Sequence, residues 1–213
     1  MWKQQQRAQN MASKINRDFF FSTCRTDLFN NSLNPTQVTG LTSLLDYWEN
    51  NYASKDDRWL AYVLATAYHE VDRKMKPINE YGTTAYFMHR YDKTGNPSIA
   101  HQLGNTEVGD GAKFHGRGFV QLTGRRNYQD WKDRLGVNLI GNPEKVLDLD
   151  IATKIIFDGM VLGTFTGKKL SQYFNPTTAD WVNARRIVNG LDKANLISGY
   201  GLSFYKAISY TTG

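Results

Sequence analysis

The sequence predicts a mostly α domain of the α+β kind, helical lobes with a small antiparallel β element flanking a substrate cleft. Apolar residues recur at helical spacing over 35–50, 56–71 and 193–209. The first two of those runs open on helix-start residues. Between Pro77 and Gly118 the helical period gives way to glycines, aromatics and short polar runs, which suit loops and short strands.

With 213 residues and 40% hydrophobic content, the chain has enough apolar surface for a true core, as one domain or one domain of two lobes. Residues 1–17 read as a polar leader. Order is expected from Asp18, because Phe19, Phe20 and Phe21 would be costly to leave in water. The domain therefore spans 18–213.

Asn34-Pro35 combines an N-cap side chain with proline in the first turn, and Val38, Leu41, Leu44, Leu45 and Trp48 follow at helical spacing. Asp56 and Asp57 suit the positive end of the next helix, whose stripe is Leu60, Val63, Leu64, Ala67 and Val71. Strands are expected near 84–89 and 115–122. Thr123 or a near neighbour should cap a helix carrying Tyr128, Trp131 and Leu135, closed by Gly136. Asn142-Pro143 starts a short helix, and Asp150 an apolar one through Ile151, Ile155, Ile156 and Met160. Thr177 or Thr178 should start another, with Trp181, Ala184, Ile187 and Val188 inward and Asn189-Gly190 as its end. A last helix over 193–209 carries Leu196, Ile197, Tyr200 and Phe204.

Composition narrows the function classes. A single cysteine, Cys24, rules out an internal disulfide and suits a reducing compartment. The first residues, MWKQQQRAQNMASK, lack the apolar stretch of a secretory signal, and no apolar run reaches membrane-spanning length. Synthesis in the cytoplasm without stable membrane insertion is the expectation. The net charge of +6 favours an acidic partner without choosing among nucleic acid, lipid and wall polymer. GDGAKFHGRG lacks the order of a phosphate loop, and HEVDR lacks the second histidine of a zinc protease. Arg125-Arg126 and Arg185-Arg186 each present one arginine per helix face, a weak basis for nucleic-acid binding. Neither metal nor cofactor is expected.

Glu70 is the most informative position. At 100° per residue it falls at the edge of the apolar stripe, near Val63 and Ala67, while His69 points the opposite way. Charge is expensive to bury there, a setting that suits a general acid. The competing explanation is an ion pair with Arg73, Lys74 or an arginine elsewhere. A glycosidase needs a second carboxylate across the scissile bond. Glu80, Asp92, Glu107 and Asp110 are available in the following loops. In FHGRGFVQLTGRRNY, residues 114–128, strand alternation would put Arg117, Phe119, Gln121 and Thr123 on one face, with Asn127 one helical turn beyond Thr123. Amides and a hydroxyl are what sugar hydroxyls and an oriented water require. A capping network around Thr123 is the competing explanation.

AYHE at 67–70, GRGFVQLTGRRNY at 116–128 and ARRIVNG at 184–190 together resemble glycoside hydrolase family 19, the group of chitinases and phage endolysins with a lysozyme-like fold. The resemblance covers roughly residues 18–210. It implies Glu70 as general acid and Gln121, Thr123, Asn127 and Asn189 as cleft residues, Thr123 helping to hold the attacking water. His69 and Arg117 complete the expected substrate contacts. Thr123 stands where plant members usually have serine, and Val71 replaces a hydroxyl residue that often follows the acid. Endolysin-like spacing of the second carboxylate points to Glu80, plant-type spacing to the neighbourhood of Asp92, and Glu80 is preferred. The expected function is inverting hydrolysis of β-1,4 bonds in peptidoglycan glycan strands by a monomeric endolysin, released by a separate holin-like protein. Chitin is the alternative substrate, and a non-catalytic wall-glycan binder the alternative class.

Overall fold

The two helices that the sequence marks most clearly begin where a side chain satisfies backbone groups that the first turn leaves unpaired. Asn34 caps Pro35–Asn51, accepting from the Gln37 amide at 2.9 Å while the Gln37 side chain accepts from the Asn34 amide at 2.9 Å. Asp56 caps Asp57–Glu70 by accepting from Arg58 N–H at 3.0 Å. Both helices fall where the sequence puts them. The computed structural model describes residues 14–209 and 211–212. Residues 1–13 of the expected leader lie outside the described residues. Its last four carry structure: strand Lys14–Ile15, then Asn16 as cap of the helix Arg17–Asp27.

The chain divides into two units, one made of the segments up to Met75 and from Phe157 onward, the other of Lys76–Ile156. In the first, the helix Ala194–Ile208 packs on Asp57–Glu70 and on Arg17–Asp27. The seam is aromatic. Tyr68 meets Tyr200, Phe204 and Phe29 with ring centroids 4.8, 5.8 and 5.1 Å away, and its hydroxyl donates to Leu28 O. Cys24, fully buried here, is a free thiol that burial pushes well above its ordinary range. Thr211–Thr212 pairs antiparallel with Lys14–Ile15.

After Glu70 the chain reverses through Asp72, Arg73 and Met75, all at positive φ. That turn lies against the Pro35–Asn51 helix at Gly40. A Cβ on Gly40 would sit 1.7 Å from Met75 O, where backbone leaves no room to yield. Gly40→Ala should therefore cost about 2 kcal/mol or more, as overpacking does. A melting temperature within a degree of the unmodified protein would show that this contact does not constrain the turn.

One expected helix is absent. Residues 174–179 form a hairpin of Phe174–Asn175 with Thr178–Ala179. Asn175 Oδ1 accepts from the Thr177 amide and hydroxyl at 3.1 and 3.0 Å, so the turn satisfies itself before a helix can start. Ala184 and Ile187 instead sit in a 3₁₀ turn, Asn183–Ile187.

The second unit joins the helices Thr84–Tyr91, Pro97–Leu103, Asp110–Lys113 and Arg125–Leu135 to one small sheet, Ile78–Asn79 with Arg117–Gly118 antiparallel. The strand expected at 84–89 is a helix. Thr83 caps it, accepting from Tyr86 N–H at 3.2 Å, and Phe87 is its buried residue. The strand expected over 115–122 is cut to two residues. The chain folds back so that Arg117 and Leu122 exchange backbone hydrogen bonds of 3.2 and 2.8 Å.

Gly124, not the Thr123 side chain, occupies the cap of Arg125–Leu135. The first amide of that helix donates to Asn105 Oδ1 at 2.8 Å. Gly136 closes it at φ +67°, as the sequence predicts. The Pro143–Leu147 turn leads into Leu149–Leu162, the helix within which the second unit ends. Among the described residues no helix is long and apolar enough to cross a membrane.

Candidate active site

In the first unit, Glu70 is the last residue of its helix and its side chain is 17% exposed. Its Oε1 accepts from Arg185 Nη1 at 2.6 Å, and the Arg185 Nε donates to Asp192 O at 3.2 Å. Such a charge-assisted contact fixes the carboxylate's direction. It is also a structural reason for a carboxylate to stand here, supplied by an arginine distant in sequence. Lys74 pairs with Asp72 at 3.8 Å, and Arg73 lies over the Tyr68 ring. His69 is half-buried, and burial, outweighing the neighbouring Glu70 charge, holds its imidazole below the ordinary value. Asn189 is exposed. Its amide nitrogen donates to Arg185 O at 3.1 Å, and its side chain accepts from Gly190 N–H at 2.8 Å.

In the second unit, Glu80 follows the Ile78–Asn79 strand, and its amide donates to Gly116 O at 2.8 Å. Its carboxylate is held at both oxygens, Oε1 by the Tyr91 hydroxyl at 2.7 Å and Oε2 by Gly116 N–H at 3.1 Å. Gly116 brings Glu80 and Gln121 together. A Cβ there would lie 2.9 Å from Gln121 Oε1 and 3.0 Å from Glu80 Oε2, so glycine is what lets both reach one point of backbone.

Gln121 itself lies at φ +54°, a left-handed conformation that costs a non-glycine residue about 1–2 kcal/mol. Strain of this kind clusters at functional sites. Its amide donates to Ile78 O and Gly118 O at 3.3 and 3.4 Å. The Thr123 hydroxyl donates to Gln121 O at 2.8 Å, which leaves its oxygen to act as acceptor toward a water. Asn127 Nδ2 donates to Thr123 O at 2.7 Å. Glu80, Gln121, Thr123 and Asn127 thus form one connected group.

Two expectations are corrected. Arg117 does not share a face with Gln121, because the positive-φ turn at Gln121 ends the alternation. It is 3% exposed, and its guanidinium donates to Lys113 O, His115 O, the Tyr128 hydroxyl and Glu144 at 2.7–3.2 Å. It pins the loop from inside. Asp92, the alternative second carboxylate, is completely buried. One oxygen accepts from the Thr94 amide and hydroxyl at 3.1 and 2.8 Å, the other from the Gly109 and Gly111 amides at 2.8 and 3.1 Å. Burial raises its carboxyl, but these donors prevail and hold it below the usual carboxylate range. A carboxylate whose oxygens are engaged by so many donors organises the loops around it.

The sequence gives no signal for Tyr91 or Asn105 and does not single out Arg185 as the arginine that pairs with Glu70, though it lies in the ARRIVNG motif. The partners of Tyr91 and Asn105 are brought together only by the fold. Among the described residues, no group of three or more His, Cys, Asp or Glu is placed to hold a metal ion.

No family model matches the chain. A curated relative from Haemophilus influenzae (strain ATCC 51907 / DSM 11121 / KW20 / Rd), described as a glycosyl hydrolase family 19 domain-containing protein, is 40% identical over 65 residues. The match covers 28% of this chain and 32% of the relative, so about a third of that protein's length is matched. Among solved structures, chitinase C from Streptomyces griseus HUT6037 aligns with a TM-score of 0.58 at 22% identity, over 93% of this chain and 78% of that one. A bacterial family 19 chitinase aligns at 0.53 and 19% identity, over 93% and 97%. The chain has the mostly helical, lysozyme-like α+β fold of these chitinases, and the resemblance to family 19 read from its motifs is borne out.

Proposed function

We propose that the chain is a monomeric glycoside hydrolase that cleaves β-1,4 bonds of peptidoglycan glycan strands with inversion. Glu70 is the general acid, Glu80 the general base, and Thr123 the residue that holds the attacking water. The observation that carries this reading is the group at Gly116. There a carboxylate anchored at both oxygens lies beside the Gln121 side chain, and Gln121 O accepts a hydrogen bond from the Thr123 hydroxyl.

In the reaction, water attacks the anomeric carbon and gives its proton to Glu80 as the glycosidic bond breaks. Glu70 delivers its proton to the departing oxygen. Inversion calls for carboxyl groups roughly 6.5–9.5 Å apart, room for that water. Gln121, Asn127, Asn189 and His69 supply amide and imidazole contacts to sugar hydroxyls. The net charge of +6 favours residence on an anionic wall. As an endolysin the protein accumulates in the host cytoplasm and reaches the wall through a separate holin-like protein.

Chitin is the second reading, favoured because the solved structures that share the fold are named chitinases. The two polymers share their backbone linkage and differ in the lactyl-peptide substituent. Mass spectrometry of digested peptidoglycan decides between the readings. New reducing ends of muramic acid or glucosamine are the expected result, with the inverted anomer seen in NMR of the products before they mutarotate. Anhydro ends would exclude attack by water. Soluble sugar from colloidal chitin, with an intact wall, would transfer the activity to chitin.

A further inference from the structure

We infer that Tyr91 is the positioning residue of Glu80, its phenol acting with the Gly116 amide to aim the carboxylate at water. The inference rests on the reading of Glu80 as base. Each carboxylate oxygen has its own donor, at 2.7 Å from Tyr91 and 3.1 Å from Gly116, so the group cannot rotate without losing both. A base must present a lone pair in a fixed direction, and small errors of aim are costly in rate.

Tyr91 is itself held on several sides. Its ring stacks on Phe87 at 6.4 Å and 12°, and the Arg90 guanidinium lies 5.4 Å from its centroid. Its carbonyl accepts from Asn105 Nδ2 at 2.9 Å. The other end of that buried amide accepts from Arg125 N–H at 2.8 Å. Asn105 therefore ties the helix end bearing Tyr91 to the start of the helix that follows Thr123. Burial, then the bond to Glu80, push the Tyr91 phenol above its ordinary value, so it stays a donor across neutral pH. Arg90, His115 and Tyr128 also feel the Glu80 charge, and all three remain when Tyr91 is changed.

Tyr91→Phe keeps the ring and deletes the donor. On solubilised peptidoglycan strands and on chitin oligosaccharides, kcat should fall about tenfold with KM unchanged, the scale of one hydrogen bond to a charged group. A purely structural role would lower the melting temperature and leave kcat per folded molecule unchanged.

Glu80→Gln, assayed alongside, separates the two levels. Full rate in Glu80→Gln overturns the base assignment. An inactive Glu80→Gln beside a Tyr91→Phe with unchanged kcat overturns the positioning role alone. If Tyr91→Phe does not fold, or neither polymer is cut, the Tyr91 hydroxyl proton decides by NMR. It should exchange slowly in the unmodified protein and shift in Glu80→Gln, and a resonance indifferent to that change overturns the contact.

Discussion

Glu70→Gln should lose at least about a hundredfold in the rate of bond cleavage, the usual lower scale for removing a general acid. The change is conservative in shape. Glutamine keeps an oxygen where Glu70 Oε1 accepts from Arg185 at 2.6 Å, and Arg185 retains its bond to Asp192 O at 3.2 Å. On the proposed mechanism, what disappears is the proton that the leaving oxygen requires. Release of reducing ends from peptidoglycan, measured with melting temperature and wall binding, checks this. Wall binding should persist while cleavage falls. Unchanged lysis would remove Glu70 from the mechanism, and wall binding without cleavage by the unmodified protein would favour the non-catalytic glycan binder.

Asp92→Ala should be the most damaging substitution for stability. The carboxylate receives three backbone N–H groups and one hydroxyl in a fully buried place. Alanine would leave those donors without an acceptor, at about 1–3 kcal/mol each, so a loss of about 4 kcal/mol or more is expected. Thermal unfolding should fall by roughly 8 °C or more for a chain of this size. The same residue gives the protein an acid limit. Asp92 and Asp110 are both held below the usual carboxylate range, in each case by donors that overcome burial, Arg125 foremost at Asp110. Groups depressed on folding contribute stability above the unfolded value of about 4, and that stability is lost as pH falls through the folded values. Unfolding followed at decreasing pH should show this loss below about pH 4, and Asp92→Ala should flatten it. An equal acid slope in the variant would assign acid sensitivity elsewhere.

The parts legible in the sequence are those whose cause is local. Asn34-Pro35 and Asp56 set helix starts within a few residues, and Gly136 ends a helix where no side chain is needed. Glu70 could be singled out because helix geometry alone puts a carboxylate beside a core face. The expected strand at 84–89 is a helix because TAYFMHRY suits either period, and only the Thr83 cap distinguishes them. Arg117 was misread because one positive φ, at Gln121, undid the alternation that would have aimed it outward. Asp92 looked like any acidic loop residue, since two of its donors, Gly109 and Gly111, are 17 and 19 positions away. Long-range partners of this kind follow from packing, and no window of sequence contains them.

The buried thiol of Cys24 has a practical consequence. It is the only cysteine in the chain, and burial both shields it and suppresses its thiolate, the form that reacts with maleimides and methanethiosulfonates. The unmodified protein is therefore a ready background for site-directed labelling. A cysteine introduced at an exposed position in each unit would accept probes without interference, so distances across the molecule can be followed in solution as glycan is added.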